Sequence, residues 1–216
     1  MLMILACLSM LIDHVGGYLL GNQEIFRMIG RLAMPMYAYL IVAGVKHTSD
    51  SKKYLKRLFI NALAAQLPYI IMTESYELDI CFVWLISAML LMAYENKALN
   101  LFCKSIISIL LVGVTFIIPM DYGVYAIVWI LVFYFRDKFN DKVKHLGNII
   151  VFIGPFIAYC VWQRPIQFAA LCAIPLIFLC SKYDATRLRN KYAKTLYQLF
   201  YPLHMTIIDI IKIVNM

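Results

Sequence analysis

The sequence predicts an all-α protein, a polytopic integral membrane bundle of about nine transmembrane helices. Three observations predict it. The 216 residues are 63% hydrophobic and 15% charged, where a soluble domain has ~45–50% apolar and ~25% charged residues. The mean hydropathy is +0.79. The apolar runs are continuous rather than alternating, which reads as helices and not as barrel strands. At ~20 residues per span plus short loops, eight or nine helices fit in the chain and little is left over for a soluble domain. Residues 1–216 are therefore expected to form a single transmembrane domain.

Taken in order, the expected spans are 2–20, 25–45, 58–73, 81–95, 105–119, 122–135, 147–162, 166–181 and 196–213. The first resembles a signal peptide in length. It has no basic leader, Asp13 and His14 interrupt it, and no small-residue cleavage site follows, so it reads as a retained helix. The chain opens abruptly on this run, and a few residues are expected upstream of Met1. Several later spans fall short of ~20 residues, and tilt or local thinning must cover the difference. Pro35, Pro68, Pro155, Pro175 and Pro202 lie inside spans. Each frees a backbone carbonyl and can kink its helix, either as ordinary irregularity or to open a cavity.

The charges test the count. With the N-terminus in the cytoplasm, the inner loops are 46–57, 96–104, 136–146 and 182–195. All but four of the 20 Lys and Arg residues fall there, the exceptions being Arg27, Arg31, Arg164 and Lys212. The outer loops carry Glu24, then Glu74, Glu77 and Asp79, then Asp121. This alternation follows the positive-inside rule and places the C-terminus outside a plasma (inner) membrane. The net charge of +8 is thereby topological, and no basic stretch is long enough to fold as a nucleic-acid-binding element. Six cysteines (Cys7, Cys81, Cys103, Cys160, Cys172 and Cys180) form no C-x-x-C and sit in or beside apolar runs, as small hydrophobes do. Neither a disulfide framework nor a metal site is expected.

Charges inside spans cost ~2.5–3.5 kcal/mol each near the bilayer centre, so they face a cavity or a partner. Asp13 lies about 10 Å below the outer surface and Arg31 about 9 Å, at 1.5 Å per residue. Two helices joined by a short loop run antiparallel, so Asp13, His14 and Arg31 share one depth. An Asp13–Arg31 ion pair would lower the cost of both charges. His14 points about 100° away from Asp13 around the helix, free to face a cavity. The plainer reading is a structural ion pair beside a hydrogen-bonded His. In the last span His204 lies about 12 Å above the inner end, and Asp209 lies beyond it. His47, Lys52, Lys53, Tyr54, Lys56 and Arg57 lie at the inner surface. They express the positive-inside bias, or they line the mouth for a phosphate-bearing donor. His145 and Arg164 read as peripheral.

These residues fall in a recognisable order. Met10-Leu11-Ile12-Asp13-His14-Val15-Gly16 is followed by Ile29-Gly30-Arg31-Leu32-Ala33-Met34-Pro35-Met36-Tyr37-Ala38-Tyr39-Leu40. Then come Gly44, His47-Thr48, Lys53-Tyr54-Leu55-Lys56-Arg57-Leu58 and Gln66-Leu67-Pro68-Tyr69, and in the last span Phe200-Tyr201-Pro202-Leu203-His204. The pattern resembles the TraX family of membrane acetyltransferases, strongly over the first third and well in the last helix. The middle is similar in hydropathy alone. The resemblance implies an enzyme that uses acetyl-CoA as co-substrate, with no bound cofactor, and a family role in N-terminal acetylation of a pilin subunit. A looser similarity to wider transmembrane acyltransferases implies a His near the first helix with basic residues nearby. Carried over, Asp13, His14, Gly30 and Arg31 form the centre, and Tyr201 and His204 approach it from the last helix.

The expected chemistry is acetyl transfer to an amine or hydroxyl of an exported or surface protein, peptide or glycan. His14 is the expected base, because an ordinary imidazole titrates near working pH. Asp13 orients a histidine or holds Arg31, and Arg31 stabilises negative charge or binds phosphate. His204 is an alternate base or the acid for the thiolate. Gly30, His47, Lys53, Tyr54, Arg57 and Tyr201 are the expected binding residues, with the donor entering past Lys53 and Arg57. Direct transfer and an acetyl-enzyme both remain open. The rival readings are a small proton-coupled transporter and a non-catalytic membrane interaction protein.

Overall fold

The computed structural model describes residues 1–136, 138, 165–182 and 191–214. The expected span 147–162, with Pro155 and Cys160, lies outside the described residues, as do Lys142, Lys144, His145, Arg164, Arg187 and Arg189.

The described elements are helical. They are α1 (Leu2–Tyr18), α2 (Glu24–Gly30), α3 (Ala33–His47), α4 (Ser51–Thr73), α5 (Ile80–Glu95), α6 (Leu101–Ile117) and α7 (Gly123–Arg136), then a 3-10 helix (Pro165–Cys172), α8 (Ala173–Lys182) and α9 (Lys191–Val214). Local chemistry sets several starts. Asp50 caps α4, its carboxylate accepting the Lys53 backbone N–H at 3.0 Å, so Lys52 to Arg57 are helical rather than loop. Asn100 does the same for α6 at 2.8 Å from the Cys103 nitrogen. Glu74 ends α4 in the left-handed conformation, its N–H bonding the Ile70 carbonyl.

The expected second span, 25–45, is interrupted at Arg31 and Leu32. Pro35 explains the break. It has no N–H for the Arg31 carbonyl and its ring crowds that position, so the helix restarts with proline in its first turn, where no donor is needed. The buried Ser9 hydroxyl donates to the Ile29 carbonyl at 2.6 Å. The helices α4 and α9, by contrast, run through Pro68 and Pro202. The expected span 166–181 is likewise divided, between the 3-10 helix and α8.

Short connections join the helices from α1 to α7. At one end of the bundle Glu95 holds Tyr134 (2.6 Å) and Lys138 (3.0 Å). At the other, Lys212 of α9 reaches Glu74 at 2.9 Å. The basic segments around Lys46 to Arg57 and Lys97 to Lys104 lie at the first end. Glu24, Glu74, Glu77, Asp79 and Asp121 lie at the second, where Leu78 and Met120 form an isolated bridge. The core sits between α3, α5 and α7, with Met36, Leu90, Leu91, Trp129, Phe133 and Tyr134 fully buried. α1 packs against α3 and α9, and α4 against α5 and α9.

The outside is as apolar as the inside. Thr115 is the buried residue of α6, while Phe102, Ile109, Phe116 and Ile117 are more than 70% exposed. Phe59, Leu63, Leu67 and Ile71 make an exposed stripe on α4, and Leu203, Ile207, Ile210 and Val214 another on α9. A water-soluble monomer rarely exposes such patches, whereas lipid solvates them. Among the described residues one helical stretch, Glu24–His47, is long and apolar enough to cross a membrane by length and composition. Five further apolar helices have 10–17 residues.

Candidate active site

The centre is built on close contact between α1 and α2. A Cβ on Gly30 would lie 2.2 Å from Cγ and 2.3 Å from Cβ of Asp13. Gly16 allows a second such approach a helical turn further along, where a Cβ would lie 2.1 Å from Cβ of Phe26. With glycine at these two points the helices touch, and the buried Asp13 carboxylate reaches Arg27 Nη1 at 3.0 Å. This corrects the expected Asp13–Arg31 pair. Arg27 and Arg31 lie one turn apart on the same stretch, and Arg27 is the one set over Asp13.

Arg31 is placed by the break in the helix. It is buried, its Nη1 donates to the Tyr122 phenol, and its guanidinium carbon lies 5.9 Å from the centre of that ring. Tyr122 is held in the left-handed region (φ 60°) ahead of Gly123. The bridge between the loops, with the Asp121 N–H on the Leu78 carbonyl at 2.9 Å, fixes this turn. Strain of this kind persists where its surroundings over-determine the backbone.

His14 is half-buried and meets the last helix. Its Nδ1 lies 2.8 Å from Nε2 of His204, and His204 Nδ1 lies 2.7 Å from the Phe200 carbonyl. Tyr18 and Tyr201 flank the His14 ring, with centroids 6.1 and 6.4 Å away.

Asp13, His14, Gly30, Arg31 and Tyr201 all line one cavity of about 1880 Å³. His47, Lys53, Tyr54, Lys56 and Arg57 line it at the basic end of the bundle, and Glu77, Asp121 and Tyr122 at the acidic end. The basic mouth is exposed. Lys53 makes a surface pair with Asp50 at 3.2 Å. The Arg57 guanidinium lies 5.8 Å from the centre of the Tyr54 ring. Gly44 leaves room for the Tyr54 phenol, since a Cβ there would lie 2.5 Å from its oxygen. His204, though beside His14, does not line the cavity. Asp209 is buried on α9 away from the lining.

At the acidic end, burial pushes the carboxyls of Asp79 and Asp121 up to about 7, against the pull of Arg31 on Asp121. Asp79 is fully buried at the start of α5. In the unfolded chain it titrates near its ordinary 3.8. Its contribution to stability is therefore full below about pH 4 and is lost as pH rises through about 7. Asp79→Asn keeps a capping residue and removes the buried charge. We expect it to raise Tm in detergent by several degrees at pH 8 and by clearly less at pH 5, where the folded carboxyl is protonated and only that of the unfolded chain is ionised. An equal shift at both pH values would refute the assignment.

Two residues of this centre escaped the sequence reading. Arg27 carried a signal, being a basic residue on the acidic side, one turn from Arg31. Tyr122 carried none beyond its place next to Asp121.

Compared with known proteins, residues 1–212 match the family described as TraX protein. The chain is also similar to a probable fimbrial assembly protein, FimC of serogroup H1, from Dichelobacter nodosus. The two are 25% identical over 232 residues, covering 96% of this chain and 92% of that one. No solved structure matches the chain significantly.

Proposed function

The chain belongs to the TraX family, and from that premise we propose that it is a multi-pass membrane acetyltransferase. It moves an acetyl group from cytoplasmic acetyl-CoA to an exported or surface acceptor. The observation that carries this reading is the single cavity running from a basic mouth, past His14 and Arg31, to an acidic mouth. Lys53, Lys56, Arg57 and His47 suit the phosphates of a CoA donor. Glu77 and Asp121, with Tyr18, Tyr69 and Tyr125 beside them, suit a cationic amine. The similarity to a fimbrial assembly protein favours a fimbrial subunit as acceptor, with other exported proteins, peptides and glycans as the wider class.

The exposed apolar helices α4, α6 and α9 favour a bilayer around the bundle. The basic end then faces the cytoplasm, with the N-terminus inside and the C-terminus outside. In this frame the acceptor reacts as the free amine, its ammonium proton having passed to solvent, and His14 takes a second proton as the nitrogen attacks the thioester carbonyl. Arg31 stabilises the oxyanion, the C–S bond breaks, and CoA leaves as the thiol.

The test uses protein in detergent, acetyl-CoA and an amine-bearing peptide. Acetylated peptide by mass spectrometry with stoichiometric thiol release supports the enzyme. No thiol release, with proton-coupled uptake in liposomes, supports a transporter. Neither outcome, with an intact fold, supports a non-catalytic interaction protein. CoA is expected to raise Tm, since a ligand at a hundred times its Kd adds about 2.7 kcal/mol. Lys53→Glu with Arg57→Glu should abolish that rise and increase KM for acetyl-CoA at least tenfold. A CoA shift that survives both charge reversals would remove the donor from this mouth.

A further inference from the structure

A base facing the substrate needs an unprotonated imidazole nitrogen, and the hydrogen bonds behind His14 specify which one it is. His204 Nδ1 lies 2.7 Å from the Phe200 carbonyl oxygen. A carbonyl only accepts, so that nitrogen carries a proton. In the neutral ring Nε2 then holds the lone pair. This Nε2 lies 2.8 Å from His14 Nδ1, so His14 Nδ1 must donate. The lone pair of His14 is left on Nε2, on the ring that lines the cavity.

The two ring planes are 12° apart and their centroids 4.9 Å. Nitrogens that approach to 2.8 Å while the centroids stay that far apart belong to rings meeting edge to edge, so the contact is a hydrogen bond and not a face-to-face stack. His204 is 5% exposed and is walled in by the Phe200 and Tyr201 rings, 4.9 and 5.7 Å away. The carboxylate that would orient a histidine in a triad is engaged elsewhere, since Asp13 pairs with Arg27.

We propose that His204 is a positioning residue that locks His14 in the Nδ1–H tautomer and accepts that proton during turnover; the proposal rests on the acetyl-transfer reading. As the acceptor nitrogen bonds to the thioester carbon, its proton passes to His14 Nε2. The Nδ1 proton of His14 passes to His204 Nε2. The positive charge then rests on a ring still held by the Phe200 carbonyl. When the C–S bond breaks, both transfers reverse and the proton goes from His14 Nε2 to the CoA sulfur. A wrong tautomer costs a serine-protease triad about 10⁴-fold in kcat.

The chain has four histidines, so ¹⁵N-histidine labelling with His14→Gln and His204→Gln difference spectra assigns both rings in the resting protein. The expected result is a protonated Nδ1 and a bare Nε2 on His14, with scalar coupling to His204 Nε2 across the hydrogen bond. A proton on His14 Nε2 with no such coupling would overturn the proposal, whatever the activity. In turnover, His204→Leu should lower kcat by about 10²–10⁴-fold with KM for acetyl-CoA unchanged. His204→Gln, whose amide oxygen still accepts from Nδ1, should recover at least tenfold of that loss. A proton inventory in mixed H₂O and D₂O should show two protons for the parent and one for the glutamine variant. Equal rates for the two variants, or identical inventories for parent and glutamine variant, would overturn the relay. If the parent transfers no acetyl group yet shows the Nδ1–H tautomer, the acetyltransferase reading fails and the locked tautomer stands.

Discussion

His14→Ala is expected to lower acetyl transfer about a thousandfold, the middle of the range for losing a positioned general base and equivalent to about 4 kcal/mol of transition-state stabilisation. The expectation comes from position. His14 lines the cavity between the basic mouth and the acidic one, and its partner His204 lies behind it. Alanine leaves room for water but supplies no base. It also leaves His204 Nε2 facing the vacated space, so a small rescue by added imidazole is expected. The basic mouth is untouched, and the rise in Tm caused by CoA should persist at its parental size. The split is what identifies the role, with turnover lost and donor binding kept. A variant that acetylates at the parental rate would remove His14 from the chemistry. A variant that loses the CoA shift as well would point to collapse of the cavity instead.

The largest structural effect is expected from Gly30→Ala. Alanine in a helix normally gains up to about 1 kcal/mol over glycine. Here the added Cβ would fall 2.2–2.3 Å from Cβ, Cγ and Oδ1 of Asp13. The Asp13 Cβ is fixed to the α1 backbone, so no rotamer change relieves the contact, and α1 and α2 must separate. Overpacking of this kind costs about 1–3 kcal/mol, which outweighs the propensity gain. Separation also draws Asp13 from Arg27, so activity should fall along with Tm. Gly113→Ala is the matched control. It lies on α6, where a Cβ would meet nothing within 4 Å, and its Tm should stay level or rise. A Gly30→Ala protein as stable as the parent would show that α1 and α2 are not in the contact described.

Much of the centre was legible before any fold was known, because burying charge in an apolar helix is costly enough to mark a site. Asp13, His14 and Arg31 stood out for that reason, and a common depth followed from a short connection between antiparallel helices. The positions of the basic segments were legible on the same ground. The pairing was not. Depth is set by counting along one helix, but partner choice depends on rotation about the axis and on where the helix breaks. Pro35 moved the break to Arg31, which turned Arg31 toward Tyr122 and set Arg27 over Asp13. The early start of α4 depended on one cap, Asp50.

The amino-acid order alone determined that this chain is helical and apolar, with opposite charge preferences in alternate loops, and that an acid, an imidazole and a guanidinium share a level near its first turn. These follow from transfer energies and helical rise, which are local properties of a chain. Which arginine meets the acid, that His204 stands behind His14 rather than beside the substrate, and that one cavity joins the two ends were decided only by the packing of α1, α2 and α9. Contacts between residues 190 positions apart depend on the whole set of helices finding one arrangement, and no local rule contains that information.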